Sequence, residues 1–265
     1  MAAYFKLKGL RQTRLAAPAT LAHTPGNRKC LAMHCNICGG TAFSDMPGRP
    51  GARCVSCGGL ERARVAALHI RHRLALPQGA RILHFAPERG LARMLRDIGG
   101  ENYQARDIDP SKYPGLGVER FDLCTDVFGL PRGHYDLILH NHVLEHIECN
   151  YTMVLLRLAR ALSPSGTMLF SLPIVDDMFR DELMAGTPEE RAARFGPMIH
   201  VRQFGRDFLQ RTLGMIFHLP ERYDLLADFT KAQLTEANIP ARHWRRYTGA
   251  SVMAVTPADL RDGGG

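Results

Sequence analysis

Apolar and polar positions alternate from Arg81 onward in the manner of strands followed by helices. The apolar run ILHFA leads through a turn into the helical pattern LARMLRDI, which two glycines end. Two longer apolar runs, YDLILHN and TMLFSLPI, flank a predicted helix through Met153–Leu158, and MIFHL and SVMAVTP are the last predicted strands. Shorter features are predicted at residues 103–106 and 121–123 (strands) and at 163–166 (a turn, SPSG). This alternation predicts an α/β fold built on a mostly parallel sheet.

The pattern before Arg81 predicts one amphipathic helix. In LERARVAALHIRHRL (60–74) the apolar positions include Val65 and Leu68, and arginines lie around them. Pro77 and Gly79 then end this part of the chain. We therefore expect four segments: a basic leader over residues 1–29, a small module with its linking helix over 30–76, a larger domain over 77–258 and a tail over 259–265.

The composition is that of a globular protein, with 45% hydrophobic and 23% charged residues in a chain of 265. No apolar run approaches the roughly 20 residues that a membrane span needs. The first 29 residues hold six Lys or Arg and no acid, and they lack the apolar core of a secretory signal. We expect a cytoplasmic protein whose leader is disordered, with a targeting segment as the alternative for the leader.

The net charge of +8 is unevenly distributed. Residues 1–81 contain 13 Lys or Arg against two acids, whereas the remainder contains 21 against 24. A basic module beside a nearly neutral domain indicates an anionic partner such as RNA. The alternative is a solvated surface that only aids solubility.

Four of the seven cysteines form two C-x-x-C-G-G motifs, Cys35 with Cys38 and Cys54 with Cys57. The spacing C-x2-C-x15-C-x2-C is typical of a structural zinc site, which is closed and has no position open for catalysis. Two disulfides or a redox motif are the alternatives, and neither suits doubled knuckles without a secretory signal. Cys30 and His34 lie near enough in sequence to compete as ligands, and Cys124 and Cys149 are expected to be buried thiols.

Five motifs occur in a fixed order: HFAPERG, YQARDIDP, FDLCTDVFGLP, YDLILHNHVLEHI and LSPSGTMLFSLPI, followed by RFGPMIHVRQFGRDFLQR. Together they resemble the class I S-adenosylmethionine-dependent methyltransferases, in particular bacterial members with an N-terminal zinc ribbon. The resemblance runs from Cys35 to Arg211. It implies a Rossmann-like, seven-stranded, mostly parallel sheet with helices on both faces and a cofactor site at the carboxyl ends of the central strands.

The resemblance also implies a set of cofactor-binding residues. Asp107 follows the second strand, where a carboxylate accepts hydrogen bonds from ribose hydroxyls, and Asp122 and Leu123 match the adenine-binding motif. The alternative for Asp107 is a turn or helix N-cap residue, a role that suits Asp109 before Pro110 better. Glu88 stands where it would face the positive groups of the cofactor, and its alternative role is in the first turn of the following helix. The expected set is Phe85, Ala86, Glu88, Gly90, Asp107, Ile108, Asp122, Leu123, Asn141 and His142.

The first motif departs from the usual pattern of that family. The chain has His84 where an acid is usual, and Ala86 and Glu88 where glycines are usual. S-adenosylmethionine has no phosphate, so the need for a glycine-rich cradle is weaker than in dinucleotide-binding folds.

Three residues are candidates for catalysis. His142 follows the strand YDLILHN and is the first candidate for a base or for the cofactor pocket; a structural histidine is the alternative. His200 and Arg202 lie after the fifth strand, where loops cover the acceptor in this fold, and Arg202 is suited to an acceptor anion. Its alternative is a salt bridge with Asp207 or with an acid in residues 176–190. Glu145 and His146 lie on the next helical turn, and we expect at least one of them to face away from the reactive end of the cofactor.

The leading functional prediction is a methyltransferase that acts on a sugar, a glycan precursor or another small polar acceptor. The second is a methyltransferase of ribosomal or transfer RNA bases, with the basic zinc ribbon docking RNA. Against it, the chain has Asn-His-Val-Leu where many base-amino methyltransferases carry Asn-Pro-Pro-(Tyr/Phe). The third is a non-catalytic zinc-ribbon interaction protein. The implied cofactors are S-adenosylmethionine and a structural zinc ion.

Overall fold

A computed structural model describes residues 32–175, 178–183, 186–195 and 200–261. The leader predicted over residues 1–29, and Cys30, lie outside the described residues. The chain from Leu31 to Gly265 groups into one compact unit, so the cysteine-containing module belongs to the same unit as the larger domain. Within the described ranges, no helix is both long enough and apolar enough to cross a membrane.

The strands and helices follow the predicted alternation. The strands are β1 (Phe43–Met46), β2 (Arg49–Cys54), β3 (Ile82–Phe85), β4 (Tyr103–Asp107), β5 (Val118–Arg120), β6 (Tyr135–Asn141), β7 (Leu162–Ser171), β8 (Arg180–Asp181), β9 (Arg202–Gln203) and β10 (Val252–Val255). The helices are α1 (Glu61–His72), α2 (Arg89–Gly99), α3 (Tyr151–Ala161), α4 (Pro188–Phe195) and α5 (Lys231–Glu236).

The central sheet has the order β10-β7-β6-β3-β4-β5 and is parallel except for β10. The four residues of β3 and six of the seven residues of β6 are buried, as expected for strands covered on both faces. The predicted mostly parallel α/β fold is confirmed. Because parallel strands all end at one edge, the residues that follow β3, β4, β5 and β6 lie along the same edge of the sheet.

Two predicted strands differ from the structure. The short strand predicted at 121–123 is wrong, since β5 covers Val118–Arg120 and the predicted residues follow it. MIFHL is reduced to a single antiparallel bridge between Phe217 and Leu260. The sheet of the described residues therefore has six strands where the resemblance implied seven, and this bridge lies where the missing strand was expected.

The turn predicted at SPSG is part of β7 and not a turn. Its pairing with β6 jumps from Leu162 opposite Tyr135 to Thr167 opposite Leu137, so residues 163–166 bulge out of the ladder. A Cβ atom at Gly166 would come too close to the Tyr135 carbonyl oxygen, so only glycine lets the two strands approach here. Turn-forming residues thus indicate a bulge at this point.

Helix α1 is more deeply buried than its pattern predicts. Nearly all of it is enclosed, including Glu61 and Arg64, each 0% exposed. The Arg64 guanidinium donates to four backbone carbonyls: those of Ala52, Gly59, Ala237 and Asn238, at 2.8–2.9 Å. Arg64 therefore joins the cysteine-containing module to the end of α5, and does not border a solvent-exposed face.

Cys124 and Cys149 are bonded as a disulfide, which corrects the expectation of two buried thiols. Both residues are only partly buried. The bond joins the segment after β5 to the segment after β6, and both segments lie at the edge where the parallel strands end. Of the described cysteines, the four in the C-x-x-C motifs remain as free thiols.

Candidate functional site

The four cysteines of the two knuckles converge on one point. Their sulfur atoms all lie within 4.8 Å of one another, and the Cys35–Cys57 and Cys38–Cys54 pairs are each separated by 3.6 Å. Four sulfurs about 2.3 Å from one zinc ion in a tetrahedron are about 3.8 Å apart, so the observed spacing fits the ion closely. The predicted ligand set is thus brought together, whereas His34 is exposed and its Nδ1 contacts the Ala32 carbonyl.

The local sequence explains why the two knuckles have the same shape. In each one, the amide that follows the second cysteine donates to the carbonyl of the first, from Gly39 to Cys35 and from Gly58 to Cys54. Both glycines have a positive φ, 78° and 76°, a conformation that other residues rarely adopt. The repeated C-x-x-C-G therefore encodes two matching turns.

Gly90, one of the residues expected at the cofactor, lies against the second knuckle. A Cβ atom there would stand 3.0 Å from Cys57 Sγ and 3.1 Å from a methyl carbon of Ile37. The glycine thus allows the first turn of α2 to approach the cysteine cluster. The cluster and the start of α2 are held together, although they are far apart in sequence.

A chain of polar contacts crosses the carboxyl ends of β7, β6 and β3. Ser171 Oγ donates to Asn141 Oδ1 at 2.8 Å, and Asn141 Nδ2 donates to Glu88 Oε2 at 2.8 Å. The other Glu88 oxygen pairs with Arg62 of α1 at 2.9 Å. Glu88 is the N-cap residue of α2, but its carboxylate does not cap the helix. Its charge is already balanced by Arg62, so the structure does not support Glu88 as a free acid for the positive groups of the cofactor.

Two non-glycine residues at this edge have a left-handed backbone. Ala86 has φ 46° and His142 has φ 54°, directly after β3 and β6 respectively. Such conformations cost of order 1 kcal/mol or more, and they concentrate at functional sites. Ala86 occupies a position where the resemblance expects glycine, and it adopts the backbone that would favour glycine. The turn is retained although its usual residue is absent.

The acids expected for the cofactor follow β4 and β5. Asp107 accepts from the Asp109 amide at 2.8 Å and from the Tyr113 hydroxyl at 2.9 Å, and Asp122 accepts from the Cys124 amide at 2.8 Å. A carboxylate has about four acceptor sites, so both acids can accept further hydrogen bonds. Ile108, which follows Asp107, is 56% exposed.

The apolar members of the expected set divide between the core and the surface. Phe85 is buried and contacts Phe121, with ring centres 5.4 Å apart, and Leu123 is also buried. Buried side chains of this kind support the residues that line a site but are not themselves open to a ligand. Ile108 is the member whose apolar surface is open to a ligand.

His142 is held in one tautomer. Its Nε2 lies 3.0 Å from the Gly249 carbonyl oxygen, and because a carbonyl only accepts, Nε2 carries the proton. Burial, with Arg62 as the next cause, lowers the pKa of His142 to about 3. Such a group is neutral at pH 7 and binds a proton too weakly for an efficient general base. The structure therefore favours a positioning or ligand role for His142 over the predicted base.

Glu145, His146 and His200 form a cluster that the sequence did not predict. One ligand atom from each lies within 4.8 Å of the others, and the two imidazole rings have centres 4.6 Å apart. Burial raises the pKa of Glu145 to about 8, while burial and the nearby His146 lower the pKa of His200 to about 4. Both Glu145 and His146 face the cluster, so the expectation that one would face away is wrong. The adjacent acid and histidine in HVLEHI were the available signal.

The described contacts of Arg202 are with other parts of the protein. Its side chain is 0% exposed, and it donates to the carbonyls of Leu144, Ile147 and Cys149 at 2.5–2.8 Å. It also pairs with Asp181 at 3.3 Å, which is the structural alternative stated for it. Arg202 thus fixes the segment after β6, and the acceptor-binding role predicted for it is not supported.

Comparison with known proteins assigns the fold to a family. A family model described as a methyltransferase domain matches residues 60–218, more than half of the chain. The chain belongs to this methyltransferase-domain family. A comparison with curated proteins found no match.

Solved structures that resemble this methyltransferase include two described only as S-adenosylmethionine-dependent methyltransferases. The one from Mesorhizobium loti is 20% identical over 74% of this chain and 97% of its own, with a TM-score of 0.45. The one from Archaeoglobus fulgidus is 16% identical over 74% and 93%, with a TM-score of 0.42. A third is the 1,6-didemethyltoxoflavin-N1-methyltransferase of Burkholderia thailandensis, 19% identical over 56% and 63%, with a TM-score of 0.36.

The family match identifies the protein as an S-adenosylmethionine-dependent methyltransferase. The residues at the carboxyl edge fit such a cofactor. Asp107 and Asp122 retain acceptor capacity for hydroxyl and amino donors, and Ile108 offers apolar surface to a ring. Two cavities of about 350 and 270 Å³ lie elsewhere, one beside the first knuckle and α5 and the other beside Asp136 and Thr167.

Proposed function

We propose that this methyltransferase acts on a small polar acceptor, of which a sugar or glycan precursor is the leading class. S-adenosylmethionine supplies a methyl group that is already activated on a sulfonium. The protein's own task is then to orient two reactants and to exclude water. The observation that carries the proposal is a group of polar side chains beside the carboxyl end of β6, formed by the buried Glu145 and the partly exposed His142, His146 and His200.

Within this proposal, Asp107 and Asp122 bind the cofactor. Asp107 accepts from the ribose hydroxyls with the acceptor capacity left by Tyr113 and Asp109. Asp122 accepts from the adenine amino group, and Ile108 covers a face of the ring. Asn141 holds the ends of β6 and β7 in register through Ser171, which keeps the edge of the sheet rigid.

The charges of the described module favour a small acceptor over RNA. Of the seven arginines in residues 32–81, six have partners within the protein. Arg49, Arg62, Arg73 and Arg81 form salt bridges with acids, and Arg64 and Arg71 donate to backbone carbonyls. Binding to RNA depends on cations that can contact phosphates, so these pairings weaken the docking surface that the charge distribution predicts.

We also propose that the cysteine cluster holds a structural zinc ion. Four thiolates leave no coordination position for a substrate, and the cluster packs against Gly90 of α2. The ion would thereby support the turn after β3 as well as its own module.

Titration calorimetry of the zinc-loaded protein with S-adenosylmethionine tests cofactor binding. We expect micromolar affinity in the wild type and an affinity weaker by about 10- to 100-fold in Asp107→Asn, because hydrogen bonds to a charged acceptor contribute about 1.5–3 kcal/mol. Asp109→Asn is the matched control, since Asp109 caps the turn at Ser111 and has no predicted cofactor contact. Absence of binding in the wild type would overturn the proposal.

The acceptor class needs a second experiment. Methyl transfer from labelled S-adenosylmethionine is measured with a panel of sugars and nucleotide sugars, and separately with ribosomal and transfer RNA. Incorporation into the small acceptors is the expected result. Incorporation into RNA alone would replace the small-acceptor proposal with the RNA alternative.

A further inference from the structure

We propose that Glu145, His146 and His200 bind a divalent transition-metal ion, at a second metal site distinct from the four cysteines. The three residues provide one carboxylate and two imidazoles. Glu145 Oε1 and His146 Nε2 are 3.9 Å apart, and all three ligand atoms lie within 4.8 Å of one another. Ligands at about 2.0–2.2 Å from one ion are about 3.0–3.5 Å apart, so closure requires only small side-chain movements.

The strongest support is the buried side chain of Glu145, whose two oxygens have no hydrogen-bond partner. The residue is 0% exposed, and neither of its oxygens has a hydrogen-bond donor. Burying a carboxylate without compensation costs several kcal/mol. The two arginines whose charges reach it are committed elsewhere: Arg62 pairs with Glu88, and Arg202 bonds to carbonyls and to Asp181. A bound cation would displace the proton of Glu145 and give its oxygens the partner that they lack.

The backbone holds the ligand-bearing segments together. The Val201 amide donates to the Glu145 carbonyl at 2.8 Å, directly joining the neighbour of His200 to the segment after β6. Arg202 bonds to three carbonyls of that same segment. The segment that carries Glu145 and His146 is therefore fixed to the residues that directly follow His200, which helps to maintain the geometry of a metal site.

His142 adds a nitrogen at the edge of this site. Because its Nε2–H donates to Gly249, its Nδ1 has a free lone pair, and this atom lies 3.8 Å from Glu145 Oε1. A histidine that donates one nitrogen to a carbonyl and presents the other is the usual arrangement of a metal ligand. His142 is thus placed to serve as a fourth ligand or to bond to a ligand in the open position.

The donor set indicates the type of ion. Imidazole and carboxylate together suit Mn²⁺, Fe²⁺, Co²⁺ or Zn²⁺, whereas Mg²⁺ and Ca²⁺ favour oxygen ligands. A site with three protein ligands keeps a position open for a further oxygen. If the proposed function holds, that oxygen belongs to the acceptor, so the ion would select acceptors with a hydroxyl or carboxylate. Metal binding itself does not depend on the proposed function.

The test uses the full chain after dialysis against a weak chelator, so that the thiolate site retains its zinc. Mn²⁺ is the probe, because soft thiolate ligands do not favour it. The free ion is counted by electron paramagnetic resonance during titration. We expect one Mn²⁺ per chain in the wild type, and binding at least tenfold weaker in Glu145→Gln and in His200→Asn. His72→Asn is the control, since His72 is exposed and lies outside the cluster.

His200→Asn decides the outcome if Glu145→Gln fails to fold, because His200 is only partly buried. Absence of Mn²⁺ binding in the wild type would overturn the proposal, and so would equal binding in the wild type and His200→Asn. Calorimetry with S-adenosylmethionine on the same samples separates this outcome from failure of the proposed function, since each ligand is measured independently.

Discussion

Replacing Arg64 with methionine tests whether one buried side chain joins the cysteine-containing module to the rest of the protein. The guanidinium is fully buried and donates to carbonyls in β2, in the second knuckle and after α5. Methionine has a similar length and no donor, so the change removes all four hydrogen bonds and leaves the packing volume nearly unchanged.

The expected loss in the free energy of unfolding depends on the backbone carbonyls that no longer receive a hydrogen bond from residue 64. Each buried carbonyl left without a donor costs about 1–3 kcal/mol, whereas removing the buried charge recovers part of its desolvation penalty. Burial indeed lowers the pKa of Arg64, which shows that the charged form is desolvated. The Gly59 carbonyl also accepts from the Cys54 amide at 3.0 Å, so the full cost applies only to the other three carbonyls. Taking about 1 kcal/mol for each of these three, we expect the free energy of unfolding to fall by about 3 kcal/mol in Arg64→Met.

Urea denaturation of zinc-loaded protein, followed by circular dichroism, measures this difference. Arg71→Met is the matched control, because Arg71 lies on the same helix, is exposed and donates to the Asn36 and Ile37 carbonyls. We expect that control to lose less than about 1 kcal/mol. Equal losses in the two variants would refute the reasoning, since burial would then make no difference to the cost.

Two further predictions concern pH and the metal. Burial lowers the pKa of His69 from 6.5 to about 4, so its neutral form stabilises the fold above pH 6.5 and this contribution is lost as the pH falls from 6.5 towards 4. Between pH 7 and pH 5, the free energy of unfolding of His69→Phe should fall by about 2 kcal/mol less than that of the wild type, as measured by urea titrations. Parallel plots of the free energy of unfolding against pH for the two proteins would contradict this. Removal of zinc with a strong chelator, or Cys54→Ser, should lower the melting temperature by at least about 5 °C, because folding of such modules depends on metal. The control His34→Asn should keep both its zinc content and its melting temperature, and loss of zinc there would make His34 a ligand.

The sequence predicted the elements of the sheet because burial leaves a local pattern. Runs such as YDLILHN and ILHFA are mostly apolar, as expected for strands covered on both faces, and they lie at β6 and β3. The two knuckles were equally predictable, since each is a turn of a few residues whose cysteines and glycines are adjacent in sequence. The bulge at 163–166 was not, because it depends on pairing with Tyr135 in another strand.

The contacts that the polar side chains make depend on packing between segments that are distant in sequence. Arg64 and Arg62 look like surface residues of an amphipathic helix, yet one binds carbonyls after α5 and the other pairs with Glu88. The missing side chain of Gly90, a residue expected at the cofactor, allows Cys57 to approach the first turn of α2.

The sequence by itself determined the parallel α/β sheet, the four-cysteine cluster and the edge where Asp107, Asp122 and Asn141 lie, because each follows from residues close together along the chain. Only the tertiary structure brought His200 to Glu145 and His146 and joined Cys124 to Cys149. Side chains separated by tens of residues come into contact when helices and loops pack on the sheet. The local pattern of apolar and polar residues does not predict which of these side chains will face one another.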